Sequence, residues 1–339
     1  MTIEKKFNHL KVHTQYSICE GAIKISDLQS FCKKQKITSV GISDTHNLCG
    51  ALEFSDLLSK IGTHPIIGTQ INIKFKNTTG LLCLIAVNET GYKNIIKLSS
   101  ISYLLNDTIN LPYCDLSSLL EKNEGIIVLS GTINGLSGLL FDKGKTSEVK
   151  ELYSLIKSSF KDRFYIEIQR HNDFNENIFE KFNLNLSNIL SIPIIATQEV
   201  FYIDKSMYEA HDALICIGGK TYLNEKKRLK YSNQHYFKNT EEMKKLFLDL
   251  PEALENNFNL PYRCSFRPKF SEPVLPDIAI EKKNNSNDIL IENSLKGLED
   301  KFKKIFKIDK KNLETNEKFT KYKKRLNHEL KIINEMKYA

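Results

Sequence analysis

The 339-residue chain has no run of 18 apolar residues, so no segment suits a helical membrane crossing. Its opening residues, Met1 to Asn8, carry charge with no apolar stretch behind them, which does not read as a secretory signal. The seven cysteines, Cys19, Cys32, Cys49, Cys83, Cys114, Cys216 and Cys264, are odd in number and include no C-x-x-C pair. That excludes a zinc ribbon and reads as reduced thiols of a cytoplasmic protein, mostly core fillers. No G-x-x-x-x-G-K-[ST] loop is present, and Gly131, Gly135 and Gly138 are spaced as a loop after a strand rather than as a phosphate cradle. Proline is scarce, at eight residues, and two of them fall in Ser271–Asp277, which reads as a stiff connector. No internal repeat is visible.

The chain has enough hydrophobic residues, 41%, for a sizeable core. Its net charge is +8, unevenly placed. From Glu281 to Ala339 there are 16 Lys/Arg against 10 Asp/Glu, and 16 − 10 leaves +6 in the last 59 residues. A basic end can attract nucleic-acid phosphates. Abundant Asn, Lys and Ile also fit an AT-rich genome, in which lysine is inflated everywhere, so charge alone does not define a nucleic-acid surface.

Short β-rich runs recur at His9–His13, Thr38–Ser43, Ile66–Lys74, Leu81–Val87, Ile126–Leu129, Phe164–Ile168 and Ile194–Thr197. Helical stretches lie between them, at Ile25–Gln35, Ala51–Ile61, Asn94–Leu105, Ser147–Phe160 and Asn175–Asn188. This alternation predicts an α/β fold with a mostly parallel sheet, and seven strands suit a barrel. Barrel chemistry sits at C-terminal strand ends. That rule singles out His13, Ser43–Asn47, Glu167–His171 and Thr197–Phe201. Beyond Thr197 the pattern turns helical. Met207–Ile217 reads as a helix broken by Gly218-Gly219. Asn239 and Glu242 form a capping box for Glu241–Leu248, and Pro251 opens Glu252–Phe258. A domain boundary is expected between Pro276 and Asp288. The last block is helical, with an apolar face of Leu326, Leu330, Ile333 and Met336 that needs a partner surface.

Two segments could carry chemistry. In Lys11-Val12-His13-Thr14-Gln15-Tyr16-Ser17 a strand end presents alternate residues on one side. Two imidazoles there would suit a metal, but the first position is Lys11, whose ammonium cannot ligate and repels a cation. His9 has the right parity but lies two residues too far back. On its own, His13 reads as a hydrogen-bonded core histidine. The second segment is Ser43-Asp44-Thr45-His46-Asn47-Leu48-Cys49-Gly50, followed by Gly68-Thr69-Gln70.

Together these segments resemble the polymerase-and-histidinol-phosphatase (PHP) domain that opens the alpha subunit of bacterial DNA polymerase III. The resemblance continues through Asn88–Asn94, Ile194–Thr197, Ala210–Leu214, Tyr236–Lys238, Pro251–Asn256 and Tyr322–Met336. It implies a PHP-type distorted seven-stranded (β/α) barrel followed by a mainly helical C-terminal segment. The PHP domain and its helical extension would span 1–280, and the start of the polymerase palm 281–339.

PHP domains that keep their site bind a cluster of divalent metals and hydrolyse phosphate esters. The resemblance places the ligand positions at Lys11 and His13, Glu20, Thr45 after a retained Asp44, Gln70, Leu81, Thr132, Glu199 and Phe201. Of these, His13, Glu20, Asp44 and Glu199 are remnants of the site. Lys11, Thr45, Gln70, Leu81, Thr132 and Phe201 are substitutions, and His46 lies one place too far along. A cluster of hard cations needs several anionic oxygens and imidazoles. The barrel is therefore expected to be metal-free and inactive as a phosphoesterase, and no catalytic residue or bound cofactor is expected in the chain. The resemblance implies a parent polymerase that uses Mg²⁺ on palm aspartates beyond this chain. It also implies DNA contact through that polymerase, and partners that include the proofreading exonuclease and other replicase subunits, with no membrane. The alternatives are a stand-alone PHP-type metal-dependent phosphoesterase and a non-enzymatic docking fragment.

Overall fold

The computed structural model describes residues 5–104, 111–273, 285–308, 312–313 and 315–339. The chain divides into two compact units, Met1–Phe270 and Ser271–Ala339. The boundary expected at 280/281 lies outside the described residues.

The first unit is built on one nine-stranded sheet. Its strands are β1 (Lys11–Val12), β2 (Ser39–Thr45), β3 (His64–Phe75), β4 (Thr78–Ala86), β5 (Cys114–Asp115), β6 (Ile126–Leu129), β7 (Phe164–Ile168), β8 (Ile194–Ala196) and β9 (Glu199–Val200). They run in the order β8-β7-β6-β4-β3-β2-β1-β9, with β5 on the end of β3. All pairings are parallel except those of β4, which is antiparallel to β3 and β6. The reversal has a local cause. Only Lys76 and Asn77 separate β3 from β4, and a two-residue connection can join only antiparallel strands. The sequence pattern left β5 and β9 out because two residues show no periodicity.

The ends of the sheet meet through the chain itself. β8 pairs with β7 and β9 pairs with β1, yet only Thr197 and Gln198 lie between them. One broken strand thus serves both edges and leaves no long edge unpaired. The break sets Glu199 opposite Lys11 and Val200 opposite Val12.

Alternation along the strands sorts the core. Outward-facing Ile71, Ile73, Leu82, Leu84, Val128 and Ile166 pack under helices such as Thr146–Phe160. Inward-facing Ile66, Cys83, Ile85, Ile127, Leu129 and Tyr165 fill the barrel, with Leu260 and Cys264 packed against them. Further along the inward face come Lys11, Gln70 and Glu167, all buried. The interior therefore changes from apolar to polar toward the C-terminal ends of the parallel strands.

Helix Tyr208–Gly219 runs through Gly218 and Gly219, which the sequence read as a break, and ends on Lys220 in the left-handed region. Gly138 likewise lies in helix Leu136–Asp142, not in a loop. The Asn239–Glu242 capping box is present and opens Thr240–Leu246, and Pro251 opens Pro251–Asn259. In the second unit, helices Ser286–Phe306 and Glu317–Glu335 pack through Phe302, Leu313 and Phe319. Of the apolar face expected there, Leu330 is buried, Leu326 and Ile333 are half-buried and Met336 is exposed.

Candidate functional site

The nine positions singled out above, Lys11, His13, Glu20, Thr45 and Gln70 with Leu81, Thr132, Glu199 and Phe201, line one cleft. Each arrives by a local device. The loop after β1 turns back on itself through a bridge between Thr14 and Ile23, which holds Glu20 over the mouth. Only glycine fits at position 21 in that loop, because a Cβ there would lie 2.1 Å from the Thr14 carbonyl oxygen. After β2, His46 adopts a φ of 61°, and its ring meets the Asn72 amide at 3.3 Å outside the cleft. It does not take the place of the ligand lost at Thr45.

The centre of the cleft is a set of charged side chains that satisfy one another. The Lys11 ammonium, 1% exposed, lies 2.9 Å from Glu199 Oε2 and 3.2 Å from Glu167 Oε1. Burial alone would lower its pKa, but the two carboxylates outweigh burial and hold it above the ordinary lysine value. Burial would raise the Glu199 carboxyl, yet Lys11 and His13 hold it well below its ordinary value. Glu167 Oε1 also accepts from Thr197 Oγ1 and, at 2.9 Å, from Gln169 Nε2.

His13 is held on both ring nitrogens. Ser17 Oγ donates its one hydrogen to Asp44 Oδ1 at 2.7 Å, so it can only accept from His13 Nδ1 at 3.1 Å. His13 Nε2 lies 2.6 Å from Glu199 Oε1 and 2.9 Å from Gln70 Nε2. Lys11 thus sets its positive charge between Glu167 and Glu199, and the His13 ring packs its Nε2 against Glu199. Gln70 places its amide against both Glu199 and His13.

The other positions are also committed. Glu20 Oε2 accepts from Thr45 Oγ1 at 2.6 Å. Phe201, where the ligand pattern has histidine, stacks between His13 and the rings of His211 and Tyr231. Asp44, read above as a remnant of the site, does not line the cleft. Its carboxylate accepts from Thr14 N, Thr14 Oγ1 and Ser17 Oγ, each at 2.7 Å, and so fixes the turn after β1. His9 is buried with Nε2 on the Lys238 carbonyl at 2.7 Å, and burial lowers its pKa to about 3.

A PHP metal cluster does not fit this donor set. An ammonium stands between the two deepest carboxylates, and Leu81 and Phe201 offer no ligand atom. The accessible cleft volume is about 60 Å³, far below the ~300–1,000 Å³ of ordinary ligand pockets. Sequence reasoning named the strand end Glu167–His171 but not the role of Glu167. It missed Asp173, Tyr231 and His235, which line the same cleft from segments distant in the chain. No local pattern marks those three.

A curled α/β sheet with this cleft at its strand ends is the architecture of a PHP domain, and the PHP domain family matches residues 9–171. Over nearly its whole length the chain is similar to the N-terminal part of bacterial DNA polymerase III alpha subunits. It is 34% identical over 339 residues to DNA polymerase III subunit alpha of Caulobacter vibrioides, covering 97% of this chain and 29% of that protein. Against the subunit of Rickettsia conorii it is 35% identical over 339 residues, with 98% and 28% covered. Against that of Borreliella burgdorferi it is 35% identical over 319 residues, with 90% and 28% covered. The chain thus spans under a third of the length of these relatives. Among solved structures, a putative metal-dependent phosphoesterase from Bifidobacterium adolescentis aligns at a TM-score of 0.40 and 12% identity, over 57% of this chain and 86% of that one. No helix among the described residues is long and apolar enough to cross a membrane.

Proposed function

We propose that this chain is the N-terminal part of the catalytic alpha subunit of a bacterial replicative DNA polymerase. In this reading its barrel is a metal-free PHP domain that supports the polymerase core and docks the proofreading exonuclease. The family relationship supports the polymerase assignment, and the observation that carries the metal-free reading is the Lys11–Glu167–Glu199 ion pairing. A fixed side-chain charge there does for the carboxylates what a divalent cation would do in a phosphoesterase, and it cannot activate water. The same pairing argues against a stand-alone phosphoesterase. Template-directed DNA synthesis would use Mg²⁺ held by palm aspartates of the parent enzyme, with no ligand from this chain.

Phosphate-ester hydrolysis in the presence of Mn²⁺ or Zn²⁺ tests the metal-free reading. The expected result is no metal-dependent turnover, whereas strong turnover lost on His13→Ala would sink it. The docking role is tested by pull-down of the cognate exonuclease on this chain, and a failed capture counts against it. Sequencing the gene past the codon for Ala339 tests the polymerase assignment. An open frame with an aspartate-bearing palm is the expected result, and a stop codon there would favour a docking fragment.

A further inference from the structure

At the rim of the cleft, outside the nine inherited positions, three donors from two distant segments come together. His171 and Asp173 follow β7, and His235 lies on a segment that pairs with the end of β9 through Phe201 N to His235 O at 3.0 Å. One donor atom from each lies within 4.8 Å of the others. We infer that His235, Asp173 and His171 form a site for one transition-metal ion of the zinc class. The inference rests on the reading that the inherited cluster is gone, and it departs from the expectation that the chain holds no metal.

The strongest observation is the state of His235. Its Nδ1 faces the Glu199 carbonyl oxygen at 3.3 Å. A carbonyl only accepts, so Nδ1 carries a hydrogen and Nε2 is the ring atom turned into the cleft. That Nε2 is buried, has no hydrogen-bond partner among the described residues, and points toward Asp173 Oδ2 at 3.8 Å. A side chain 3% exposed whose ring nitrogen faces a carboxylate without a hydrogen bond is costly to leave as it stands. It is also the arrangement of a metal-ligating histidine, whose second ring nitrogen is fixed by a carbonyl. Two imidazoles and one carboxylate suit zinc rather than magnesium or calcium. The surroundings favour a cation as well, since Glu176 lines the same cleft.

The geometry also states what binding must change. The rings of His171 and His235 stack with centroids 4.0 Å apart and 3° between planes, so the two imidazoles cannot both face one ion as they stand. Ligands of a tetrahedral zinc ion, at ~2.0–2.1 Å from the metal, lie about 3.4 Å from one another. His235 and Asp173 are near that spacing already. His171 joins by turning out of the stack, giving up the Glu199 N–H that its Nε2 accepts at 3.2 Å.

The test is titration of the tag-free, chelator-stripped full chain with Zn²⁺ against a chromophoric competitor. One equivalent is expected to bind and to raise the melting temperature. His235→Gln and Asp173→Asn should each weaken binding by ~10- to 100-fold, while His13→Gln and Glu20→Gln leave it unchanged. Two rim variants and two cleft variants keep the test decisive if one of them fails to fold. No uptake, or uptake indifferent to both rim variants, overturns the inference and leaves the metal-free barrel standing. Uptake lost in the cleft variants but kept in the rim variants overturns both.

Discussion

Replacing Lys11 with methionine isolates the charge argument. The substitution keeps most of the length of the side chain and removes the ammonium, leaving Glu167 and Glu199 buried beside one another with only the His13 ring and neutral donors against them. Removing one partner of a buried ion pair costs ~3–5 kcal/mol because the remaining charge is stranded. At ~2–4 °C per kcal/mol for a unit of this size, the melting temperature should fall by roughly 6–20 °C at pH 7. The pH dependence gives the reasoning its sharper edge. In the wild type the folded Glu199 carboxyl is held below its ordinary value, so its contribution is present above the unfolded pKa of about 4.3 and is lost as pH falls through the folded value. In Lys11→Met that depression shrinks, so acid should cost the variant less than it costs the wild type. The gap between the two should narrow between about pH 5 and pH 3. Combining Lys11→Met with Glu167→Gln and Glu199→Gln should recover most of the loss, because the stranded charges go with it. Urea melts at all three pH values measure all of this. A loss below ~1 kcal/mol at pH 7, or a gap that widens in acid, would refute the claim that Lys11 neutralises the cleft.

Three further outcomes follow from other parts of the molecule. Burial lowers the pKa of His9 to about 3 and of His46 to about 4, so the unfolded chain binds the extra protons and stability should fall from pH 6.5 toward pH 4, by ~1.4 kcal/mol per pH unit for each histidine. A flat urea midpoint across that window would contradict it. Asn239→Ala removes one half of the capping box and should cost ~0.5–2 kcal/mol by chemical melting, with Asn239→Asp close to neutral. Arg170 forks onto Glu180 at 2.6 and 3.0 Å and onto Asp249 at 2.6 and 2.8 Å, a geometry lysine cannot reproduce. Arg170→Lys should therefore cost ~1–2 kcal/mol, and a double-mutant cycle with Asp249→Asn should show the coupling.

Much of the architecture was legible because the strands are short runs rich in β-branched and aromatic residues, set apart by helical stretches. Ile126–Leu129 and Phe164–Ile168 stand where the β-rich runs placed them, and Ile25–Gln35 where the 3.6-residue period did. What escaped was set by contacts between distant segments. The reversal of β4 depends on a two-residue turn whose residues, Lys76 and Asn77, carry no glycine to announce it. The break at Thr197–Gln198 is invisible locally, because β9 is defined by its pairing with β1 and not by its composition. The same holds at the cleft. Lys11 could be read as a damaged metal ligand, but its role as the counter-charge of Glu167 required knowing that β7 faces β1 across the barrel.

That counter-charge also explains why the other substitutions are compatible with a folded barrel. A cleft that keeps Glu199 and Glu167 without a cation would bury two like charges, and a cleft that keeps Lys11 without them would bury an ammonium. Both are costly, so these residues form a set in which each makes the others tolerable. Outside the set the constraint is weaker, and the positions have gone to groups that close the space. Thr45 satisfies Glu20, Gln70 bridges Glu199 and His13, and Phe201 joins an aromatic layer with Tyr231 and His211. Restoring a single ligand by Phe201→His or Leu81→His should therefore not restore a metal cluster while Lys11 remains, since the ammonium still occupies the carboxylates. The order of substitution matters: Lys11→His must come first, and Zn²⁺ taken up beyond the one rim equivalent, measured in Lys11→His against Phe201→His, would show it. Equal binding in both variants would mean that Lys11 is not what keeps the cleft closed to metal.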